Sequence, residues 1–161
     1  MCAVMTSTRK WLGPAAIFGL GALAVAILGG LGTELGPWYR SLEKSVVQPP
    51  GWVFGPVWTT LYVIIAVAGA WSWMTVPPGA RRGLAALWIA NALLNAAWTF
   101  VFFTLQQPLA AVVVIAALWL TIVLLMRAIW PRRRGPALLL APYLVWVSFA
   151  AWLNIAIVAL N

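Results

Sequence analysis

The residues able to do chemistry are few, and the types that are missing narrow the field first. The 161-residue chain has no histidine, one cysteine (Cys2) and two acids, Glu34 and Glu43. Without histidine there is no side chain that titrates near neutrality unperturbed and no axial imidazole for haem. With no Cys/His cluster there is no zinc site. A lone cysteine rules out an intrachain disulfide. Both acids fall in one polar stretch, so no carboxylate pair is placed for general acid–base work, and hydroxyls such as Ser148 have no base to activate them. What remains is aromatic and amide chemistry. Asn91, Asn95, Trp98 and Phe102 recur at i, i+4, i+7 and i+11, one face of a helix. Trp58 and Tyr62 are four apart, and Tyr143, Trp146, Phe149, Ala150 and Asn154 form another stripe. An amide in an apolar run is costly unless it faces protein, water or ligand. Helix–helix packing accounts equally well for any one asparagine; three stripes together favour a pocket wall. Tyr and Trp each offer a flat apolar face and one donor, which suits a large, flat, mostly apolar ligand.

The elements that must position these residues follow from composition. The chain is 65% hydrophobic and 7% charged, where a soluble domain carries about 25% charged residues. Lipid is therefore the solvent for most of it, and the fold class is an all-α integral membrane protein with a five-helix bundle. Spans are expected at 11–33, 53–76, 83–105, 109–130 and 137–160, in one domain, with a loop at 34–51 covering a pocket. The first apolar run exceeds the length of a signal-peptide core and reads as an uncleaved helix. Within it, Ala22, Ala26 and Gly30 make a small-residue stripe, which is either a close helix approach or a chance product of an alanine-rich run. Pro56 is expected among early helical N–H groups that lack partners anyway. The net charge of +8 comes from short clusters between apolar runs, an arrangement that sets membrane orientation and argues against nucleic acid. Arg9, Lys10, Arg81, Arg82, Arg127 and Arg132–Arg134 fall on one side, so the N-terminus is expected in the cytoplasm. Trp11, Trp71, Trp73 and Trp130 read as an interfacial belt. No ionisable residue lies deep in a span, which argues against a coupled transporter.

Several motifs resemble one family. WYRSLEKSVVQPPGWVFGPVWTTLY (38–62), LLNAAWTFVFF (93–103) and PYLVWVSFAAWLN (142–154) are similar to the tryptophan-rich sensory protein / translocator protein family, also called the peripheral-type benzodiazepine receptor. The resemblance covers nearly the whole chain. It implies a five-helix bundle, a homodimer, and binding of porphyrins and related tetrapyrroles, of benzodiazepine-site ligands and in some members of sterols. It implies a pocket beneath the first loop, lined by the second, third and fifth spans. Carried over by motif, the lid holds Trp38 and Tyr39. The second span supplies Trp52, Phe54, Trp58 and Tyr62, and the third Asn91, Asn95 and Trp98. The fifth supplies Trp146, Phe149, Ala150 and Asn154. Light-dependent porphyrin breakdown is ascribed to bacterial members, and the tryptophans implicated match Trp58 and Trp146. The chain departs from the family pattern at Lys44-Ser45, at apolar Val114 where an acid is often found, and at its end, which lacks the sterol motif. Sterol therefore ranks below tetrapyrrole.

The leading expectation is a membrane receptor or binding protein acting in tetrapyrrole sensing, sequestration or transport. The porphyrin is a ligand held by stacking, and no cofactor is required. Arg40 and Lys44 either meet its propionates or are solvated loop charges. The alternatives are a photo-oxidative porphyrin-degrading enzyme without acid–base or metal site, and a transporter of small hydrophobic compounds. A bacterial cytoplasmic membrane is expected over the mitochondrial outer membrane.

Overall fold

Long apolar runs bounded by proline, glycine or arginine fold as helices in lipid, because a helix satisfies every backbone polar group within its own segment. The computed structural model describes the backbone from Cys2 to Asn161 and the side chains from Lys10 onward; the side chains of Cys2 and Arg9 lie outside the described residues. The helices are α1 (Cys2–Gly32), α2 (Pro37–Ser41), α3 (Gly51–Thr75), α4 (Arg81–Thr99), α5 (Pro108–Ile129), α6 (Arg134–Leu139) and α7 (Ala141–Leu160). A 3₁₀ turn at Pro78–Ala80 leads into α4, and a π turn at Phe100–Thr104 extends it. Five stretches are long and apolar enough to cross a membrane: Lys10–Gly32, Gly51–Thr75, Pro78–Thr104, Pro108–Ile129 and Arg134–Leu160.

The boundaries depart from the sequence reading in four places. The polar residues before Trp11 continue the first helix instead of preceding it. The 34–51 loop contains α2, with Pro37 in its first turn. The fifth stretch breaks at Leu140, one residue before α7 begins and two before Pro142. Finally, Pro56 is the sixth residue of α3, past the early N–H groups expected to excuse it. Its ring removes the donor that the Trp52 carbonyl would meet, a cost carried at an exposed helix end. Just beyond it, the Thr59 and Thr60 hydroxyls donate back to the Gly55 and Pro56 carbonyls, both at 2.9 Å.

The helices close into a ring. α1 packs on α3 and α4, α4 on α5, and α5 on α7, while α6 and α7 return to α3. The largest fully enclosed apolar side chains come from α5, α7 and the turn before α7: Ile115, Leu118, Ile122, Leu125, Ile129, Leu140, Tyr143 and Val147. The perimeter is apolar and exposed, as at Ile17, Leu31, Leu93 and Val145. A soluble protein does not leave so continuous an apolar surface uncovered.

Glycines set the closest approaches. The Phe18 ring of α1 lies on Gly69 of α3, where an added Cβ would fall 2.2 Å from Phe18 Cδ1. At the other end of α1 the close residue is Gly29. An added Cβ there would meet the Tyr62 hydroxyl at 3.3 Å, whereas one at Gly30 would meet nothing within 4 Å. Of the expected Ala22–Ala26–Gly30 line, Gly30 therefore makes no close approach, and its neighbour Gly29 does. At the basic end of the bundle, the belt tryptophans carry cations. The guanidinium of Arg81 lies 5.4 Å from the Trp73 ring, that of Arg133 5.6 Å from Trp71, and that of Arg134 5.4 Å from Trp130.

Candidate functional site

Five polar residues of the spans, Tyr62, Asn91, Asn95, Thr121 and Tyr143, form one hydrogen-bonded chain through the middle of the bundle. Tyr62 Oη donates to Asn95 Oδ1 at 3.2 Å, and Asn95 Nδ2 donates to Tyr143 Oη at 2.9 Å. Tyr143 Oη donates to Asn91 Oδ1 at 3.3 Å, and Asn91 Nδ2 donates to Thr121 Oγ1 at 2.9 Å. The Thr121 hydroxyl ends the chain on the Leu118 carbonyl at 2.6 Å. Every donor points the same way along it, from α3 through α4 and α7 to α5. Asn91, Asn95 and Tyr143 are buried, so these bonds offset a desolvation cost that unpaired amides in hydrocarbon would carry in full. Tyr143 and Thr121 are the members missed as site residues. Thr121 had one visible signal, a hydroxyl inside an otherwise apolar span, which in lipid requires a partner.

Aromatic rings stand on this chain in a wall between α3 and α7. Trp58 stacks on Tyr62, centroids 5.5 Å apart with planes at 29°, and meets Tyr143 edge-on at 6.3 Å. One turn nearer the loop, Phe54 meets Trp146 edge-on at 5.7 Å, and Phe149 lies 5.7 Å beyond Trp146. Ala150 is buried one turn after Trp146. Trp146 Nε1 is buried with no hydrogen-bond partner. An indole N–H normally finds one when buried, so this donor is directed into an aromatic corner that offers it no acceptor.

A second group forms at the loop end. Trp98 Nε1 donates to Asn154 Oδ1 at 3.1 Å, and Asn154 Nδ2 donates to the Pro108 carbonyl at 2.9 Å. Asn154 thereby ties α4, α5 and α7 together. Trp98 packs on Phe102 at 5.6 Å, Trp38 of α2 meets Phe102 edge-on at 5.9 Å, and Tyr39 lies 5.5 Å from Phe103. Trp52 stands apart, 75% exposed. The loop expected to be a mobile cover is fastened at several points. Lys44 Nζ donates to the Tyr39 and Leu42 carbonyls and lies 4.6 Å from the centre of the Tyr39 ring. Arg40 Nε donates to the Leu35 carbonyl, and Asn161 bonds both the N–H and the carbonyl of Glu43. Arg40 and Lys44 therefore both bind loop backbone, Lys44 half-buried and Arg40 still exposed. Burial pushes the Tyr39 phenol above its ordinary pKa of 10.0, opposed by a smaller lowering from the Gln48 hydrogen bond.

The structure also holds a cavity of about 290 Å³ between α1, α3 and α4. Tyr62, Asn91 and Asn95 are the candidates that line it. Its walls are otherwise residues of the first three spans, not of the second, third and fifth.

Comparison with known proteins agrees with this architecture. A model of the TspO/MBR family matches residues 17–160. The tryptophan-rich protein TspO of Chlorobaculum tepidum is 40% identical, over 77% of this chain and 79% of that protein. The protein of the same name from Archaeoglobus fulgidus is 38% identical, over 88% and 93%. The translocator protein of Ovis aries is 33% identical, over 73% and 70%. With five apolar spans, a tryptophan- and asparagine-lined interior and a match across nearly its whole length, the chain belongs to the TspO/MBR family of membrane proteins.

Proposed function

We propose that this protein binds porphyrins and related tetrapyrroles in its membrane, serving their sensing, sequestration or transport, with the ligand seated against the α3–α7 aromatic wall. The observation that carries the reading is the Trp146 corner. Phe54, Trp146 and Phe149 present ring surfaces together, and the buried Trp146 N–H lacks an acceptor. A tetrapyrrole offers a broad π face for such rings and polar atoms for such a donor. The chain has no histidine to supply an axial ligand, so affinity rests on stacking and apolar contact. The same proposal sets the protein in a bacterial cytoplasmic membrane, as a homodimer with its N-terminus in the cytoplasm.

Titrating purified protein with protoporphyrin IX, with tryptophan fluorescence as readout, tests the site. The paired substitutions Trp58→Ala and Trp146→Ala should weaken binding at least tenfold, since each buried aromatic contact contributes on the order of 1 kcal/mol beyond its area. Trp146→Phe, which keeps the ring and removes the N–H, should weaken binding less. Unchanged affinity in the double variant removes this wall as the site.

The stacked Trp58–Tyr62 pair, with Tyr143 behind it, supports a second reading. These oxidisable rings lie side by side, an arrangement suited to light-driven porphyrin breakdown. Illumination should then yield new absorbing products that depend on Trp58 or Trp146. Bleaching at the rate seen with free tryptophan would sink that reading.

A further inference from the structure

We propose that the cavity between α1, α3 and α4 is a second binding site, for the acyl chain of an anionic amphiphile whose headgroup rests on Arg81 and Lys10. It shares Tyr62 with the aromatic wall but none of Phe54, Trp58, Trp146 or Phe149, and does not depend on what binds there. On α4, Ala85, Ile89, Ala92 and Asn95 line the cavity, and their spacing makes one helical face. On α1 the lining runs from Pro14 through Gly21 to Val25. Extending each stripe by one turn toward the basic end reaches a cation in both helices, Arg81 four residues before Ala85 and Lys10 four before Pro14.

Three features turn this from a groove into a site for a charged head and an apolar tail. First, Arg81 is not simply a solvated surface charge. Its guanidinium lies against Trp73, which lines the cavity, and its Nε–H is buried without a partner. Phosphate and carboxylate oxygens are the acceptors that match a guanidinium. Second, both acids of the chain, Glu34 and Glu43, lie in the loop between α1 and α3, at the opposite end of the bundle. No acidic side chain is therefore left at the basic end to compete with an anionic headgroup for these cations. Basic pockets between spans favour such lipids. Third, the depth fits. From Ala85 to Asn95 the helix rises about 15 Å, half of a hydrocarbon core about 30 Å thick, so the cavity is one leaflet deep. Its far end closes on the Asn95–Tyr62 hydrogen bond, while exposed Ile17 and Ile89 leave its flank open to lipid. The Phe18 ring, 5.5 Å from Trp88 and 6.5 Å from Trp73, forms the wall beneath the headgroup. Ordinary snorkelling of Arg81 to the interface accounts for its charge, but not for the buried Nε or for the hollow behind it.

The test is native mass spectrometry of the full chain in neutral detergent, offered phosphatidylglycerol, phosphatidylcholine or palmitate. One phosphatidylglycerol should be retained in preference to phosphatidylcholine. Arg81→Gln should lower that retention about tenfold, the loss of one charge-assisted hydrogen bond. Gly21 lines the cavity and an added Cβ there meets nothing within 4 Å, so Gly21→Leu should fill part of the cavity and abolish retention. Gly19→Leu, equally unobstructed but outside the lining, should retain the lipid and serves as the folding control. Palmitate retained as well as phosphatidylglycerol assigns the occupant as a free acid; palmitate lost assigns it as bilayer phospholipid. Equal retention of phosphatidylcholine overturns the proposal. So does unchanged phosphatidylglycerol retention in Gly21→Leu, including the case in which that variant alters only self-association.

Discussion

Tyr143 sits at the centre of the buried hydrogen-bonded chain, accepting from Asn95 and donating to Asn91. Tyr143→Phe keeps the ring and strands both amides at once. It should lower stability by about 1–2 kcal/mol, read as earlier unfolding in a denaturant or thermal series, while Thr59→Ala, whose hydroxyl only bonds back to the Gly55 carbonyl of its own helix, should cost less. That Asn91 and Asn95 need partners was legible from their types: two amides one turn apart in an apolar run. Which partners they take was not, because hydrogen-bond pairing across spans depends on the rotation and height of each helix, and periodicity in one helix says nothing of its neighbour's. Hence Asn91 and Asn95 satisfy one another's neighbours within the protein, a role that the single-residue reading left level with ligand contact. At the loop, the raised pKa of Tyr39 has a definite sign. A phenol whose folded value lies above 10.0 is stabilising while protonated, so its contribution is full below the unfolded value and is lost as pH rises through the folded one. The α2 region should therefore show no pH-dependent loosening from Tyr39 below about pH 10 and progressive loosening above, followed by the fluorescence of Trp38, and Tyr39→Phe should remove that alkaline response.

At the scale of elements, α1 and α3 are held together by ring-on-backbone contact at Phe18 and Gly69. Gly69→Ala has no room unless Phe18 moves, and overpacking of this kind costs about 1–3 kcal/mol. Gly30→Ala, with open space around it, should be neutral or slightly stabilising, since alanine is the better helix former. Thermal unfolding of the two variants separates them. Nothing in the sequence marks Gly69 as tight and Gly30 as open; only the packing of α1 on its neighbours distinguishes them. The ends of elements were similarly half-legible. Gln106-Gln107-Pro108 announced a stop, and Gln106 does leave the helix at φ 53. The π turn before it was hidden: no local breaker marks it, and its Phe102 and Phe103 pack against Trp38 and Tyr39 of the loop.

For the whole molecule, the apolar runs made the fold class readable, since in lipid such runs have few alternatives. The order of helices around the ring was not readable, and neither was the hollow that α1 lines beside α3 and α4. An odd number of spans puts the two chain ends on opposite sides of the membrane. With the basic clusters inside, a reporter fused after Asn161 should be active on the outer side; activity in the cytoplasm would reverse the proposed orientation.

The buried polar chain also has an order in time. Asn91 lies 30 residues ahead of Thr121, and Asn95 lies 48 ahead of Tyr143. At roughly 5–20 residues per second of synthesis, the third span must wait about 2–10 s before Tyr143 is made to meet Asn95. At the start of that interval Tyr62 is the partner already made, and Thr121 follows before Tyr143 does. The early hairpin of α3 and α4 is thus a provisional shelter for an amide pair whose permanent partners are still on the ribosome.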